Sequence, residues 1–152
     1  MKIGILNGPN LNLLGIREPE LYGGRGLTEI LASLETVARE IGVELVSAHS
    51  NSEGQLIDIL HDWRGWVDGV VVNAGAYTHT SLALRDAFTA TSLPFVEVHL
   101  TNIHARERER RHSMLAAASI GMVTGLGSEG YEFALRGLTS VLKQRASSAS
   151  AL

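Results

Sequence analysis

Polar side chains that can transfer protons or form hydrogen bonds follow three apolar segments of the sequence, at the points where those segments end. The three groups comprise Asn7, Asn10 and Asn12; Asn73, Tyr77, Thr78 and His79; and His99, Thr101, Asn102 and His104. The chain contains no cysteine, so thiolate chemistry is excluded and any catalysis must use histidine, tyrosine, carboxylate, arginine, lysine or hydroxyl groups. This combination favours acid–base chemistry.

Tyr22 is a candidate base because of the segment that contains it. Residues 8–26 form an unusually long connection, and long connections in compact domains are often functional lids. Glycines beside Tyr22 would let the segment move, and a nearby arginine, Arg17 or Arg25, would stabilise a phenolate. The alternative is that Tyr22 only packs the segment against the protein.

Glu97 and His99 form a second candidate pair. They are two residues apart in a strand-like run, so their side chains share one face and the carboxylate can hold one imidazole tautomer. An acid–base dyad and a purely structural polar pair both fit this spacing.

Four arginines follow this run: Arg106, Arg108, Arg110 and Arg111. Interleaved charges of this kind are usually a solvated surface, but one guanidinium near a strand end could bind an anionic or polyhydroxylated ligand. We expect Arg110 to be that residue.

Residues 125–130 match the G-x-G-x-x-G pattern of dinucleotide-binding turns. No further strand follows to complete a βαβ unit, so tight packing of a turn against the last helix is the better interpretation. A metal site is not predicted, since the histidines lack the spacing of metal ligands.

Apolar runs and helical periodicity alternate along the chain and predict the elements that position these groups. The strand-like runs are residues 2–6, 43–48, 67–72, 94–100 and 120–124. Their continuous apolar character is typical of strands covered on both faces, so we predict an α/β fold with a doubly wound, five-stranded parallel sheet and helices on both faces. Residues 1–146 should form a single catalytic domain, and residues 147–152 a disordered tail.

Composition narrows the functional classes further. The net charge is −3, which gives no basic surface for nucleic acid, and no apolar run is long enough to cross a membrane. The first residues are too short an apolar run for a signal peptide. Together with the lack of cysteine, this predicts a cytoplasmic protein.

Four sequence blocks in the same order resemble the type II 3-dehydroquinate dehydratases, over nearly the whole chain. The blocks are NGPNLN at 7–12, REPELYG at 17–23, NAGAYTHTS at 73–81 and EVHL at 97–100. The resemblance implies a flavodoxin-like fold and conversion of 3-dehydroquinate to 3-dehydroshikimate, through an enolate, in aromatic amino acid biosynthesis.

The resemblance also implies roles for individual residues. Tyr22 matches the base and Arg17 its activating partner, while His99 matches the general acid. Glu97 stands behind His99, and Asn10 helps to stabilise the enolate through a bound water. The positions that match substrate-binding residues are Asn73, His79, Asp86, Leu100, Thr101 and Arg110.

For partners and cofactors, the resemblance implies an oligomer, typically a dodecamer built from trimers, in which Asp86 reaches a neighbouring site. It implies no metal and no organic cofactor. Two positions depart from the family pattern: Thr101 stands where serine is usual, and Glu109 where an aromatic residue is frequent. Because of Glu109, the choice between Arg110 and Arg111 depends on register.

An alternative from another class is a non-catalytic flavodoxin-like module that binds a flavin or nucleotide at the same strand ends. An imine mechanism is not expected, because the only lysines are Lys2 and Lys143, neither of which is predicted to point into the site.

Overall fold

Five parallel strands form the centre of the protein in a computed structural model that describes residues 1–16 and 18–150. The strands are β1 (Lys2–Asn7), β2 (Glu44–His49), β3 (Gly69–Asn73), β4 (Phe95–His99) and β5 (Gly121–Thr124). Their order in the sheet is β2-β1-β3-β4-β5, which is the flavodoxin-like order. The predicted fold class is therefore confirmed.

Helices cover both faces of this sheet: α2 (Leu27–Ile41), α3 (Glu53–Trp63), α4 (Leu82–Thr91) and α5 (Glu129–Ser150). A short helix, α1 (Pro19–Tyr22), lies in the connection after β1. Helices α2 and α5 bury their apolar side chains against Ile3, Ile5 and Val71. Helices α3 and α4 pack on the opposite face, against Leu6 and Val72. This alternation follows from the two-residue period of a strand.

The face under α3 contains one unusually close approach. A Cβ atom at Gly4 would lie 2.3 Å from Cζ3 of Trp63, so only glycine lets the Trp63 ring lie flat against β1. The resulting contact fixes the end of α3 on the sheet. Trp63 is buried as a consequence.

Only one of the two hydrogen bonds of a capping box forms at the start of α3. The Ser52 hydroxyl accepts a hydrogen bond from the Gln55 backbone N–H at 3.4 Å, as expected for an N-cap. The Gln55 side chain, however, accepts from the Ser50 hydroxyl, and the Ser52 N–H donates to that same hydroxyl oxygen. The Ser50 hydroxyl thus lies between the Gln55 side chain and the Ser52 N–H, which bond directly in a complete capping box.

The C-terminal segment differs from the prediction of disorder. Helix α5 continues through Ser150, and the hydroxyls of Ser147, Ser148 and Ser150 each donate to the carbonyl four residues earlier. Alanine between these serines has high helix propensity, which favours a helix although residues 147–150 are exposed. Ala151 and Leu152 lie outside the described residues.

Within residues 1–16 and 18–150, none of the helices has the length and apolar character needed to cross a membrane.

Candidate active site

A cavity lies at the carboxyl ends of β1, β3 and β4, where the strand order reverses between β1 and β3. Ligands bind at this position in open α/β sheets. The predicted site residues that line it are Asn10, Tyr22, Asn73, His79, His99, Leu100, Thr101 and Arg110. The tertiary structure thus brings together side chains from all three groups identified in the sequence. Asn12, Asn102 and His104 do not line this cavity.

Tyr22 reaches the cavity from the last turn of α1, within the long connection after β1. Buried Leu11 and Leu14 anchor the first half of this connection to the core. The other two tyrosines are engaged elsewhere, because the Tyr77 hydroxyl donates to the Asn51 carbonyl at 2.8 Å and Tyr131 is fully buried. Tyr22 is therefore the tyrosine whose ring faces the cavity.

Arg106, which sequence reasoning did not select, is the arginine seen beside Tyr22. The Arg106 guanidinium carbon lies 6.0 Å from the centroid of the Tyr22 ring. The interaction with the Tyr22 side chain is the main cause that raises the pKa of Arg106 above its usual value. Its side chain is only 19% exposed, unlike the solvated face that interleaved charges predict. The sequence feature that could have identified Arg106 is its position shortly after β4 in the chain.

The arginines that the sequence predicted near Tyr22 are Arg17 and Arg25. Arg25 points elsewhere, because its guanidinium binds the Glu129 carboxylate at 3.1 Å, at the start of α5. That contact ties the end of the long connection to α5, so Arg25 does not activate Tyr22 here. Arg17 lies outside the described residues.

Glu97 is completely buried and holds His99 through a 2.6 Å contact between Oε1 and Nε2, as the two-residue spacing predicts. The Thr78 hydroxyl donates to the same carboxylate at 2.5 Å, and the Ser113 hydroxyl at 2.8 Å. Burial alone would raise the pKa of Glu97, but the bonds from His99, Thr78 and Ser113 together lower it below its usual value. Glu97 is thus an anion at neutral pH. Sequence reasoning missed both hydroxyl partners.

This carboxylate determines which nitrogen of His99 can react. Because an ionised carboxylate only accepts, Nε2 of His99 donates to it and Nδ1 is left to contact a ligand. The His79 ring stacks beside it, with ring centroids 6.4 Å apart. His79 Nδ1 donates to the His112 carbonyl at 2.8 Å, and burial is the main cause that lowers the pKa of His79. His79 is therefore neutral at pH 7, with Nε2 as an acceptor.

Asn10 adopts the left-handed backbone conformation, with φ of 68°. Its backbone N–H donates to the Asn51 side-chain oxygen at 2.9 Å, so a loop after β2 holds this turn. Asn51 was not identified from the sequence. Its side chain fixes where Asn10 enters the cavity.

The glycine-rich turn at residues 125–130 supports the floor of the cavity. The Gly125 N–H donates to the His99 carbonyl at 3.2 Å, and the Gly127 N–H donates to the Leu100 carbonyl at 2.9 Å. A Cβ at Gly125 would lie 3.0 Å from Cβ of Asn102, so the turn needs glycine there. Because these two N–H groups are bonded to backbone carbonyls, they are not available to bind a phosphate. This agrees with a packing role for the motif.

Of the two candidate arginines, Arg110 lines the cavity and Arg111 does not. Arg110 lines the cavity and binds Glu107 at 2.6 Å, whereas Arg111 Nε donates to the Arg106 carbonyl. Asp86 lies on α4 with a side chain that is 73% exposed, and it does not line the cavity of its own chain.

Among the residues that the structure describes, no group of three or more histidines and carboxylates is arranged to hold a metal ion.

Two polar pairs, Tyr22 with Arg106 and His99 with Glu97, thus face one cavity of a flavodoxin-like sheet, which is the arrangement of an acid–base enzyme. The sequence model of the family described as Dehydroquinase class II matches residues 1–139. A curated 3-dehydroquinate dehydratase from Gemmatimonas aurantiaca is 74% identical over 143 residues, which is 94% of each chain. Another, from Jannaschia sp., is 54% identical over 95% of this chain and 97% of its own.

Solved structures give the same result. The type II dehydroquinase from Butyrivibrio crossotus is 38% identical, with a TM-score of 0.89 over 91% of this chain and 97% of that chain. The type II dehydroquinase from Propionibacterium acnes has a TM-score of 0.87 at the same identity, over 91% of this chain and 96% of that chain. The chain belongs to the class II dehydroquinase family. The resemblance seen in the sequence is therefore confirmed, and a flavin- or nucleotide-binding module is not favoured.

Proposed function

We propose that this chain converts 3-dehydroquinate to 3-dehydroshikimate by elimination of water through an enolate, with Tyr22 as base and His99 as acid. The observation that carries this assignment is that both side chains line one cavity, Tyr22 beside the Arg106 guanidinium and His99 beside the Glu97 carboxylate. Dehydration of 3-dehydroquinate is the reaction named for the relatives, and it belongs to the shikimate pathway of aromatic amino acid biosynthesis.

In the first step, the ionised oxygen of Tyr22 removes a proton from the carbon beside the substrate ketone. The guanidinium of Arg106 stabilises that phenolate, and Arg17 is expected to contribute in the same way. Negative charge then develops on the ketone oxygen. Asn10, held by Asn51, is positioned to stabilise this enolate through a bound water.

In the second step His99 acts as the imidazolium, with one proton on Nε2 bonded to Glu97 and one on Nδ1. Nδ1 gives its proton to the departing hydroxyl as the enolate collapses and the carbon–oxygen bond breaks, and His99 is left neutral. Water is released and a conjugated enone remains. The anionic Glu97 stays bonded to Nε2 throughout, so the reactive nitrogen keeps its orientation.

The remaining cavity residues suit the hydroxyl and carboxylate groups of the substrate. Asn73 and His79 offer neutral donors and acceptors, and Arg110 offers a cation. Leu100 and Thr101, at the end of β4, receive the substrate carboxylate. The Thr101 hydroxyl already accepts from Arg106 at 3.2 Å, so threonine can serve where serine is usual.

Assembly and location are part of the same proposal. Asp86 completes the cavity of a neighbouring copy, within a dodecamer built from trimers. Its exposure and its distance from the cavity of its own chain support that assignment. The enzyme acts in the cytoplasm without a metal or organic cofactor, and it binds neither nucleic acid nor membrane.

The direct test is the ultraviolet absorbance of the enone formed from 3-dehydroquinate. Wild-type protein should produce this band, and Tyr22→Phe should lower kcat by about 100- to 10,000-fold, the usual contribution of a general base. The control is Ser148→Ala, which also deletes one hydroxyl oxygen but lies on the exposed end of α5, away from the cavity lining. The assignment of the base is wrong if Tyr22→Phe keeps a normal rate. The dehydration itself is wrong if the folded wild-type oligomer forms no enone.

A further inference from the structure

Three polar side chains form a short hydrogen-bonded chain beneath the cavity. Asn7 and Asn73 end the adjacent strands β1 and β3 and are partners in the sheet register. The Tyr131 hydroxyl, from α5, contacts both: its oxygen is 2.6 Å from Asn7 Oδ1 and 3.1 Å from Asn73 Nδ2. Tyr131 and Asn7 are completely buried, and Asn73 is nearly so. The mechanism described above uses only Asn73.

The direction of each hydrogen bond in this group follows from one backbone amide. The Gly75 N–H can only donate, and it lies 3.2 Å from Oδ1 of Asn73. Asn73 must therefore turn its oxygen towards Gly75 and its NH2 group towards Tyr131. The Tyr131 oxygen accepts that bond, and its single proton goes to Asn7.

Burial keeps the Tyr131 hydroxyl neutral, because it raises the pKa of this group far above its usual value. Tyr131 cannot serve as a base and acts only through its hydrogen bonds. With one N–H given to Tyr131, Asn73 keeps its second N–H and one oxygen lone pair for the cavity.

Gly130, the last glycine of the 125–130 turn, lets α5 approach the sheet closely enough for Tyr131 to reach Asn7 and Asn73. A Cβ at Gly130 would lie 3.3 Å from Cγ2 of Val98 and 3.4 Å from Cγ1 of Val123. With glycine there, the first turn of α5 packs directly on β4 and β5. The next residue in the chain is Tyr131, which this packing places under the ends of β1 and β3.

We propose that Tyr131 is a positioning residue, which fixes the plane and orientation of the Asn73 amide so that its free N–H and lone pair point at the substrate. This rests on the proposed role of Asn73 in substrate binding. The G-x-G-x-x-G turn thereby contributes to substrate recognition indirectly.

The test begins with Tyr131→Phe, which removes one oxygen and keeps the ring. The KM for 3-dehydroquinate should rise about two- to tenfold, the loss expected for one hydrogen bond, while kcat changes less. The control is Leu138→Val, a buried change on the same helix near Gly69, which begins β3 at the end away from Asn73. A comparable rise of KM in Leu138→Val would assign the effect to general destabilisation and overturn the proposal.

A double-mutant cycle shows whether Tyr131 acts through Asn73. In an Asn73→Ala background, Tyr131→Phe should leave KM unchanged, because the amide that it positions is gone. Independent effects of the two substitutions would overturn the proposal, as would an unchanged KM in Tyr131→Phe alone.

Neutron diffraction from perdeuterated wild-type crystals provides a measurement that needs no variant to fold. The hydroxyl deuteron of Tyr131 should point to Asn7, with Asn73 Nδ2 directed at the hydroxyl oxygen. A deuteron directed at Asn73 would overturn the proposal. Failure of the dehydratase assignment is distinguishable from all these outcomes, since wild-type protein would then form no enone.

Discussion

The Arg106 guanidinium lies over the Tyr22 ring, 6.0 Å from its centroid, although Tyr22 lies in the connection after β1 and Arg106 follows β4. The Arg106 guanidinium also donates to the Thr101 hydroxyl at 3.2 Å and lies near the Glu107 carboxylate. The connection that carries Tyr22 therefore contacts the end of β4 through the cation beside the Tyr22 ring. In the proposed mechanism the same side chain also stabilises the phenolate.

Replacement of Arg106 should therefore impair the chemical step. We expect Arg106→Leu to lower kcat/KM about 10- to 100-fold, because a hydrogen bond to a charged group contributes about 1.5–3 kcal/mol. Steady-state kinetics with 3-dehydroquinate measure this. Arg108→Leu is the matched control, since Arg108 is exposed and does not line the cavity. Equal losses in the two variants would show a general effect of surface charge.

His99→Ala should separate the two steps of the reaction. Without the acid the hydroxyl leaves poorly, so enone formation should fall by about 100-fold or more. Exchange of the proton beside the ketone should persist, because it needs only Tyr22. Deuterium incorporation into recovered 3-dehydroquinate, followed by mass spectrometry in heavy water, measures that exchange. Parallel loss of exchange and elimination would contradict the division of roles.

Ser113→Ala should destabilise the protein in a pH-dependent way. The folded-state pKa of Glu97 is lowered, so the stability that its ionisation contributes is present above about pH 4.5 and is lost as the pH falls. Removing the Ser113 donor should cost about 1–3 kcal/mol at pH 7, and this difference from wild type should shrink below about pH 4.5. Urea denaturation at fixed protein concentration measures it, with exposed Ser147→Ala as control. A difference that does not vary with pH would show that Ser113 does not act through Glu97.

Gly4→Ala tests the packing of α3 on β1. The new methyl group would overlap the Trp63 ring and should lower the free energy of unfolding by about 1–3 kcal/mol. Gly137→Ala is the control, because nothing lies within 4 Å of its Cβ position in α5 and the change should stabilise by about 0.5–1 kcal/mol. Thermal unfolding compares the two. An unchanged Tm for Gly4→Ala would mean that Trp63 does not pack there.

Borohydride in the presence of substrate should leave the activity intact. Lys2 pairs with Glu44 at 3.3 Å, and Lys143 donates to the Ile41 carbonyl at 2.9 Å, so neither amine lines the cavity. No imine should form for the reagent to reduce. Intact mass and residual activity after treatment check this. A reduced substrate adduct on either lysine, with loss of activity, would contradict the proton-transfer mechanism.

Much of the architecture could be predicted from local patterns. The five apolar runs became five parallel strands, with boundaries that differ by one or two residues from those observed. The stripe of Ile30, Leu34 and Val37 is buried on α2 because helical periodicity places these residues on one face. The tail from residue 147 differed from the prediction, because a polar, small-residue composition does not distinguish a solvated helix from a disordered segment.

The candidate reacting groups could also be identified from the sequence, because their types and local spacing are short-range properties. Glu97 and His99 share a strand face by their two-residue separation alone, and Tyr22 stands in a connection too long to be a simple turn. The family pattern then supplied the remaining candidates. The side chains that contact these candidate groups could not be predicted from local patterns.

The sequence by itself determined the fold class, the order of the elements and the residues that can exchange protons, since each depends on composition and on periods of two to four residues. Only the tertiary structure decided which distant side chains support them: Arg106 beside Tyr22, Ser113 on Glu97, Asn51 on Asn10 and Tyr131 between Asn7 and Asn73. These contacts join segments far apart in the chain. Their geometry is set by how the helices pack on the sheet, which local pattern does not encode.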